Sequence, residues 1–320
     1  MSAKPRILVT RRLPENVTAR VARDYDVILN PEDRIYQPDE LVKAAEGCDG
    51  LLICPSERMT PELVAELPES VRIVSTFSVG HEHLDVAALK TRNITATNTP
   101  DVLNDAVAEI AMLCLLGAAR RAYAGEMLVR NDQWHGWHTG MLLGKHMTGG
   151  RLGIVGMGGI GREIADRARA FRMDIHYHNR SRLTADQEKG ATYHDTLAGL
   201  LGVADFLVIA CPSTPETRGM INAETLQLLP DGAVVVNIAR GDIIQDDGLI
   251  AALKSGKVFA AGLDVFDGEP NIDARYRDLE NAFLLPHVGS ATDLTRDAMG
   301  FCCLDNLDAF FAGKKCPTAL

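Results

Sequence analysis

The feature that most constrains the fold of this chain is an alternation, repeated along most of its 320 residues, of short apolar runs with segments of helical periodicity. The apolar runs at residues 152–155, 205–211 and 233–238 are nearly continuous, as expected for strands that are buried on both faces of a sheet. Strands that alternate with helices form parallel βαβ units. The sequence therefore predicts an α/β fold built from doubly wound parallel sheets.

The alternation is interrupted between residues 101 and 150, and this interruption separates two candidate domains. Residues 101–130 contain no proline and carry apolar side chains at helical spacing, for example Ala106, Ile110 and Leu113. We predict one long helix here, about 45 Å in length. Residues 131–150 are rich in Gly, His and Trp without a clear period, which favours an arm or a functional loop. A final helix is predicted after Thr292 and is expected to pack on the first domain.

Composition and charge argue against several classes of protein. The net charge is −10 and the basic residues form no block, which disfavours a nucleic-acid partner. The longest run of apolar or small residues, 110–119, has about half of the roughly 20 residues that a membrane span needs, and residues 1–12 lack the apolar core of a secretory signal. The seven cysteines form no C-x-x-C pair, which disfavours a disulfide framework or a metal site. We therefore expect a cytoplasmic globular protein without a metal.

A glycine-rich turn supplies the first candidate site. Gly156, Gly158 and Gly161 form a G-x-G-x-x-G pattern that follows a predicted strand and opens a helix near Gly159 and Ile160. In this context the glycines allow a tight turn and a close approach of the backbone to a pyrophosphate, and the helix N-terminus presents N–H groups to it. The pattern predicts that these five residues bind a dinucleotide cofactor.

The strand that follows lacks the acid with which NAD-dependent proteins bind the adenosine ribose, about 20 residues further on. At that point the chain reads Asn179, Arg180, Ser181 and Arg182. Loss of the acid removes the repulsion of a 2′-phosphate, and arginine and serine side chains can bind that phosphate through charge and forked hydrogen bonds. We predict a preference for NADP(H), with use of NAD(H) as the alternative if these arginines only form a solvated turn.

Three downstream strands are each followed by a residue suited to hydride-transfer chemistry, namely Arg240, Glu269 and His287. Because the carboxyl ends of parallel strands face the ligand crevice, we expect these side chains to converge beside the nicotinamide. His287 can protonate a carbonyl oxygen, Glu269 can hold the other imidazole nitrogen, and Arg240 can grip a carboxylate and polarise the keto oxygen. Each residue alone is also explained by a surface ion pair, a loop acid or a capping histidine. Together they predict a catalytic triad that acts on small 2-keto or 2-hydroxy acids.

With these motifs the chain resembles the D-isomer-specific 2-hydroxyacid dehydrogenase family over nearly its whole length. The resemblance is carried by residues 156–161, 234–241, 262–270 and 286–290. It implies that Arg240, Glu269 and His287 are catalytic, with His287 as the proton donor. It also implies a homodimer and a split architecture, in which a Rossmann cofactor domain (residues 99–290) is inserted in a flavodoxin-like substrate domain (residues 1–98 and 291–320).

The resemblance also assigns further binding residues. The backbone N–H groups of Ser78, Val79 and Gly80 would bind the substrate carboxylate, with Arg240 and His287 as the other substrate contacts. Trp137 would reach from the partner subunit to cap the pocket, unless both Trp134 and Trp137 pack in the dimer interface. The remaining cofactor contacts implied are those of Cys211, Pro212, Thr217, Ile238, Asp264 and Gly289, with Asp264 accepting a hydrogen bond from the carboxamide.

Within this family the chain is most similar to the glyoxylate and hydroxypyruvate reductases. The expected reaction is the NADPH-dependent reduction of glyoxylate and/or hydroxypyruvate to the 2-hydroxy acid, with D configuration at chiral products. The alternatives are reductases of 2-ketogluconate, phenylpyruvate or 3-phosphohydroxypyruvate, and a dinucleotide-sensing, corepressor-like binding protein. Use of NADPH would favour reduction as the direction in the cell.

Overall fold

The computed structural model describes residues 4–320, which divide into two compact units. The first unit consists of residues 4–103 together with Ser290–Leu320, and the second is Asn104–Gly289. The first unit is therefore discontinuous along the chain, and the whole of the second is inserted in it.

The N-terminal part of the first unit forms a five-stranded, wholly parallel sheet. Its strands are β1 (Arg6–Val9), β2 (Asp26–Ile28), β3 (Gly50–Ile53), β4 (Ile73–Thr76) and β5 (Thr95–Thr97). Its helices are α1 (Glu15–Asp24), α2 (Pro38–Ala44), α3 (Pro61–Glu66) and α4 (Val86–Thr91). The strand order β2-β1-β3-β4-β5 is the doubly wound order of flavodoxin-like sheets, which confirms the prediction for this part of the chain.

Local sequence signals explain where several of these elements begin. Thr60 caps α3 by accepting a hydrogen bond from the Leu63 N–H, and Pro61 occupies the first turn, where its missing N–H costs nothing. All four residues of β3 and of β4 are buried, so these strands read as continuous apolar or small runs. β5 was not predicted, because its three residues include two threonines and only its pairing with β4 defines it.

The second unit begins with two helices, α5 (Asn104–Ala119) and α6 (Ala122–Arg130), and continues as a seven-stranded sheet. Its strands are β6 (Arg151–Val155), β7 (Asp174–His178), β8 (Thr192–Tyr193), β9 (Phe206–Ile209), β10 (Ala233–Asn237), β11 (Val258–Leu263) and β12 (Ala282–Leu284). The helices between them are α7 (Gly159–Ala170), α8 (Ala185–Glu188), α9 (Leu197–Leu201), α10 (Ala223–Gln227) and α11 (Asp246–Ser255), with 3₁₀ turns at Gly241–Ile243 and Ala274–Asp278.

The strand order is β12-β11-β10-β9-β6-β7-β8, and all the strands are parallel. From β6 the chain adds strands first on one side of the sheet and then, starting with β9, on the other, as in a Rossmann sheet. Ligands of such sheets bind outside the carboxyl ends of the strands at this reversal. The prediction of two doubly wound parallel sheets is confirmed.

The prediction of one long helix over residues 101–130 is wrong. The helix stops at Ala119, Arg121 adopts a left-handed conformation with φ = 52°, and α6 then starts in a new direction. The Ala119 carbonyl accepts a hydrogen bond from the Lys145 N–H (2.8 Å) instead of from the next helical turn. The returning segment therefore ends α5, and apolar periodicity carries no signal of that contact. Residues 131–150 contain no helix or strand.

The last helix, α12 (Asp293–Phe311), belongs to the first unit and packs against α1 and β4. Its N-cap is Thr292, whose hydroxyl accepts from the Thr295 N–H. Across residues 4–320, the model contains neither a helix with the length and apolarity for a membrane crossing nor a group of three or more potential metal-ligating side chains.

Candidate active site

The central feature of the second unit's sheet edge is a histidine–carboxylate pair. Glu269 lies beyond β11 and His287 beyond β12, and these two strands are neighbours in the sheet. His287 Nδ1 lies 2.6 Å from Glu269 Oε1, while Glu269 Oε2 accepts from the Phe266 N–H (3.3 Å). Because the carboxylate can only accept, Nδ1 carries a proton and Nε2 remains for acid–base chemistry.

The loop that carries His287 is held by a buried carboxylate. Asp264 is 1% exposed, and its two oxygens accept from the backbone N–H groups of Val288 and Gly289, each at 2.8 Å. Burial raises the pKa of Asp264 above its ordinary value, and these two donors act in the opposite direction. His287 itself has φ = 53°, a left-handed conformation that non-glycine residues adopt mainly where the surroundings impose it. Asp264 therefore fixes the backbone that directly follows His287.

Arg240 lies three residues beyond the end of β10, on a turn organised by Asn237. The Asn237 side chain is 1% exposed; its amide donates to Arg240 O (2.8 Å) and its oxygen accepts from the Ala239 N–H (3.0 Å). The next residue, Gly241, has no room for a side chain, since a Cβ there would meet the backbone of Phe266 at 1.8 Å. Sequence analysis assigned no role to Asn237, although a polar residue ending an apolar strand is a detectable signal.

Arg240, Glu269 and His287 thus follow three consecutive strands of one parallel sheet, β10, β11 and β12, at the same edge. A cavity of about 500 Å³ opens beside the histidine–carboxylate pair. Its wall includes Phe266, Glu269, Ile272, Arg277, Leu285 and His287. An apolar cavity with a few polar groups is the usual form of a small-molecule site. Arg277 was missed by sequence analysis, because nothing in its local pattern distinguishes it from other exposed arginines.

The glycine-rich turn has the geometry that a dinucleotide requires. Gly156 has φ = 94°, and a Cβ on it would lie 2.6 Å from the Cys211 backbone nitrogen. A Cβ on Gly161 would lie 2.4 Å from Gly156 O, whereas Gly158 faces open space. The N–H groups of Gly159 and Ile160, at the start of α7, have no acceptor within residues 4–320. The turn therefore combines a close-approach surface with free donors at a helix N-terminus, which suits a pyrophosphate.

Of the predicted residues that follow β9 and β10, Cys211 lies directly beside this turn. Cys211 and Pro212 come directly after β9, and Cys211 contacts Gly156. The Thr217 hydroxyl donates to Pro212 O (2.8 Å) and accepts from the Thr214 N–H (2.8 Å), so it stabilises the same segment. Ile238, 7% exposed, follows β10.

The four residues at the end of β7 are not equivalent in the structure. Asn179 Oδ1 accepts from the Met157 N–H (2.6 Å), so Asn179 braces the glycine-rich turn. Arg182 forms a forked ion pair with Glu188 at 2.7 and 3.2 Å, and the Tyr177 hydroxyl donates to the same carboxylate at 2.7 Å. Those two donors hold the pKa of Glu188 below its usual range. Arg180 and Ser181 are exposed and form no hydrogen bond or ion pair with residues 4–320.

In the first unit, Ser78, Val79 and Gly80 follow β4 and form what we call the 78–80 loop. Each of its carbonyls is occupied: Ser78 O accepts from the Thr99 N–H (2.9 Å), Val79 O from Asn98 Nδ2 (2.8 Å) and Gly80 O from Ser78 Oγ (2.7 Å). Its N–H groups have no acceptor within residues 4–320. A backbone segment with occupied carbonyls and free N–H groups is suited to an anion.

Trp137 lies in the irregular segment 131–150 and is 78% exposed; Trp134, in the same segment, is 56% exposed. Most of the Trp137 side chain is therefore accessible in the single chain.

The NAD-binding-domain model of the D-isomer specific 2-hydroxyacid dehydrogenases matches residues 112–289. The chain is 43% identical to a glycerate dehydrogenase of Hyphomicrobium methylovorum over 99% of both chains. It is 40% identical to a glyoxylate reductase of Pyrococcus furiosus over 98% of this chain and 95% of the relative. The structure of an NADPH-dependent glyoxylate/hydroxypyruvate reductase of Sinorhizobium meliloti, in complex with NADP and malonate, is similar with a TM-score of 0.89 and 32% identity, covering 99% of this chain and 97% of the other.

A Rossmann sheet with a dinucleotide turn and a histidine–carboxylate pair at its edge defines a nicotinamide-dependent oxidoreductase. The chain belongs to the D-isomer specific 2-hydroxyacid dehydrogenase family. The predicted family and the predicted class of enzyme are confirmed.

Proposed function

We propose that this enzyme reduces glyoxylate and/or hydroxypyruvate with NADPH to the 2-hydroxy acid, with D configuration at chiral products. The observation that carries the proposal is the 2.6 Å pair between His287 and Glu269 at the edge of a dinucleotide-binding sheet. Relatives named as glyoxylate reductase and as NADPH-dependent glyoxylate/hydroxypyruvate reductase support the choice of substrate. In this proposal residues 99–290 bind the cofactor, and residues 1–98 with 291–320 form the substrate domain.

The bound nicotinamide supplies the hydride. His287 Nε2 donates a proton to the keto oxygen as that oxygen gains charge, and Glu269 stabilises the imidazolium through Nδ1. The Arg240 guanidinium binds the substrate carboxylate and polarises the carbonyl. The 78–80 loop would provide backbone N–H groups for a substrate carboxylate.

For the cofactor, the glycine-rich turn and the start of α7 would hold the pyrophosphate. Cys211, Pro212, Thr217, Ile238 and Gly289 would line the rest of the dinucleotide. Asp264 would accept from the carboxamide in addition to its two backbone donors, since each carboxylate oxygen has two lone pairs. Asn179, Arg180, Ser181 and Arg182 would surround the adenosine ribose, and Arg180 and Ser181, which are unengaged within residues 4–320, are the residues best placed to accept a 2′-phosphate.

The cofactor proposal predicts that kcat/KM with NADPH exceeds kcat/KM with NADH by at least about tenfold, which corresponds to about 1.4 kcal/mol of differential binding. Arg180→Ala should remove most of this preference by weakening NADPH while leaving NADH unchanged. The measurement is a panel of 2-keto acids assayed with both cofactors, including 2-ketogluconate, phenylpyruvate and 3-phosphohydroxypyruvate.

Arg23→Ala is the control for the loss of one exposed positive charge, since Arg23 lies on α1 of the first unit. A tenfold or greater preference for NADH would contradict the cofactor proposal. No oxidation of either cofactor with any keto acid would contradict the enzymatic proposal and favour a dinucleotide-sensing protein.

The family resemblance also leads us to expect a homodimer formed through the second unit. Large exposed apolar side chains are concentrated between residues 113 and 143: Leu113, Tyr123, Val129, Trp134, Trp137 and Leu143. Exposed apolar and aromatic side chains in one segment mark a protein interface. A second copy covering this segment would also allow Trp137 to reach the substrate pocket of its partner.

The dimer predicts that Val129→Glu, which places a charge on a residue 64% exposed in the single chain, shifts the mass measured by light scattering from two chains to one. Leu294→Glu is the matched control, because Leu294 is 85% exposed but lies on α12, outside this segment. A monomeric wild type, or a Val129→Glu variant that stays dimeric, would show that the interface lies elsewhere.

A further inference from the structure

The 78–80 loop is tied to a buried hydroxyl and to a histidine for which the proposed reaction has no use. Thr76, the last residue of β4, is completely buried. Its Oγ1 lies 2.8 Å from His83 Nε2 and 3.0 Å from Ser78 Oγ, and Ser78 Oγ in turn donates to Gly80 O at 2.7 Å. A continuous chain of hydrogen bonds therefore runs from the imidazole of His83 to a carbonyl of the loop.

The donors in this chain can be assigned because each hydroxyl has one hydrogen. The Ser78 hydroxyl uses its hydrogen on Gly80 O, so it accepts from Thr76. Thr76 then has no hydrogen left for His83, and His83 Nε2 must be the protonated nitrogen that donates to it. The Gly80 carbonyl, which can only accept, therefore fixes the direction of each of these bonds and the tautomer of His83.

These hydrogen bonds affect the orientation of the anion-binding N–H groups because peptide units are planar. The carbonyl of each residue and the N–H of the next point in opposite directions, so holding the carbonyls of Ser78, Val79 and Gly80 fixes the N–H groups of the three residues that follow them. Those N–H groups have no acceptor within residues 4–320. Of the three carbonyls, Gly80 O depends on the Ser78 hydroxyl, and hence on Thr76 and His83.

We propose that Thr76 and His83 are positioning residues: through the Ser78 hydroxyl they hold Gly80 O, and so they order the peptide N–H that follows Gly80, at the end of the 78–80 loop, before the keto acid arrives. The inference rests on the proposed function, since it takes this loop to bind the substrate carboxylate. Neither residue needs to touch the substrate, because each acts through the Ser78 hydroxyl. The backbone of His83 is itself held, its carbonyl accepting from the Met59 N–H at 2.8 Å.

The test is Thr76→Val, which keeps the volume of the buried side chain and removes its hydroxyl. The expected result is a rise of about tenfold in KM for the keto acid, with kcat and the KM for NADPH within about twofold of wild type. The contact with the carboxylate is the same before and during hydride transfer, so weakening it affects binding and leaves the chemical step intact. Thr76→Ser, which restores the hydroxyl, should restore most of the affinity.

The matched control is Thr97→Val on the neighbouring strand β5. Thr97 is also completely buried, and its hydroxyl donates to Ser75 Oγ (2.9 Å) without reaching the loop. Thr97→Val should lower stability about as much as Thr76→Val does and leave the KM for the keto acid unchanged. His83→Ala, at a partly exposed residue, should raise KM for the keto acid as well. The double variant of Thr76 and His83 should add little to Thr76→Val, because both remove one chain of bonds.

An active wild type with unchanged keto-acid KM in both Thr76→Val and His83→Ala would overturn the inference and leave the proposed function standing. An equal rise in KM for Thr97→Val would also overturn it, by showing a general effect of lost stability. If Thr76→Val fails to fold, His83→Ala and Thr76→Ser decide. A wild type that reduces no keto acid would instead count against the proposed function itself. In that case the loop is tested by the binding of oxalate, a non-reacting two-carbon carboxylate. Equal affinity for oxalate in wild type and in His83→Ala would overturn the inference.

Discussion

Replacing His287 with alanine is expected to lower kcat for keto-acid reduction by about 10³-fold, within the range found for loss of a general acid. The structure gives the reason in the 2.6 Å contact that assigns Nδ1 to Glu269 and leaves Nε2 as the only ring nitrogen for proton donation. Binding of NADPH should be little affected, because in the proposed function the glycine-rich turn, and not His287, would hold the cofactor. The measurements are single-turnover rates with saturating keto acid, together with the dissociation constant of NADPH from fluorescence titration.

The control for His287→Ala is His146→Ala, which removes an exposed histidine in the irregular segment 131–150. Glu269→Gln removes the negative charge beside His287 but keeps the orientation of the imidazole, since the amide oxygen can still accept from Nδ1. We expect it to retain more activity than His287→Ala. A His287→Ala enzyme with kcat within threefold of wild type would show that another group delivers the proton.

Replacing Arg240 with alanine is expected to lower kcat/KM by about 10³-fold, because the substrate would lose a charge-assisted contact worth several kcal/mol at the reacting carbonyl. The loss should appear in both parameters. KM rises since the carboxylate loses its cation, and kcat falls since the keto oxygen is no longer polarised. Steady-state kinetics over a wide range of keto-acid concentration measures both.

Arg240→Lys tests the geometry of this contact. It keeps the charge and loses the planar fork, so we expect a value of kcat/KM between those of wild type and Arg240→Ala. Arg23→Ala again controls for the removal of an arginine outside the second unit. Near-wild-type kinetics in Arg240→Ala would remove this residue from the proposed triad.

The features that sequence analysis identified correctly are those set by local physical chemistry. The glycine-rich turn is recognisable because its glycines are needed for a left-handed residue at Gly156 and for close packing at Gly161. The buried strands are recognisable because both of their faces are covered.

The features that it did not reach depend on contacts between segments that are distant along the chain. The end of α5 is set by the Lys145 N–H, which donates to Ala119 O from the far end of the irregular segment. The role of Asp264 in holding the His287 loop depends on two backbone donors more than twenty residues away along the chain. Apolar periodicity and motif spacing contain no information on such pairings.

The discontinuity of the first unit has a consequence for the order in which the protein is made. β1 to β5 are synthesised before the second unit, but α12, which packs on β4 and α1, is synthesised after it. Even the edge strand β5 is completed late, by a bridge from Thr97 to Ala319 and a hydrogen bond from the Leu320 N–H to Ala96 O (2.9 Å). At typical rates of synthesis, the surface that α12 covers stays open for roughly ten seconds or more while residues 104–289 are added. The first unit therefore cannot be completed until the second has been synthesised, and the surface that awaits α12 is the part of the nascent chain that a chaperone has most reason to bind.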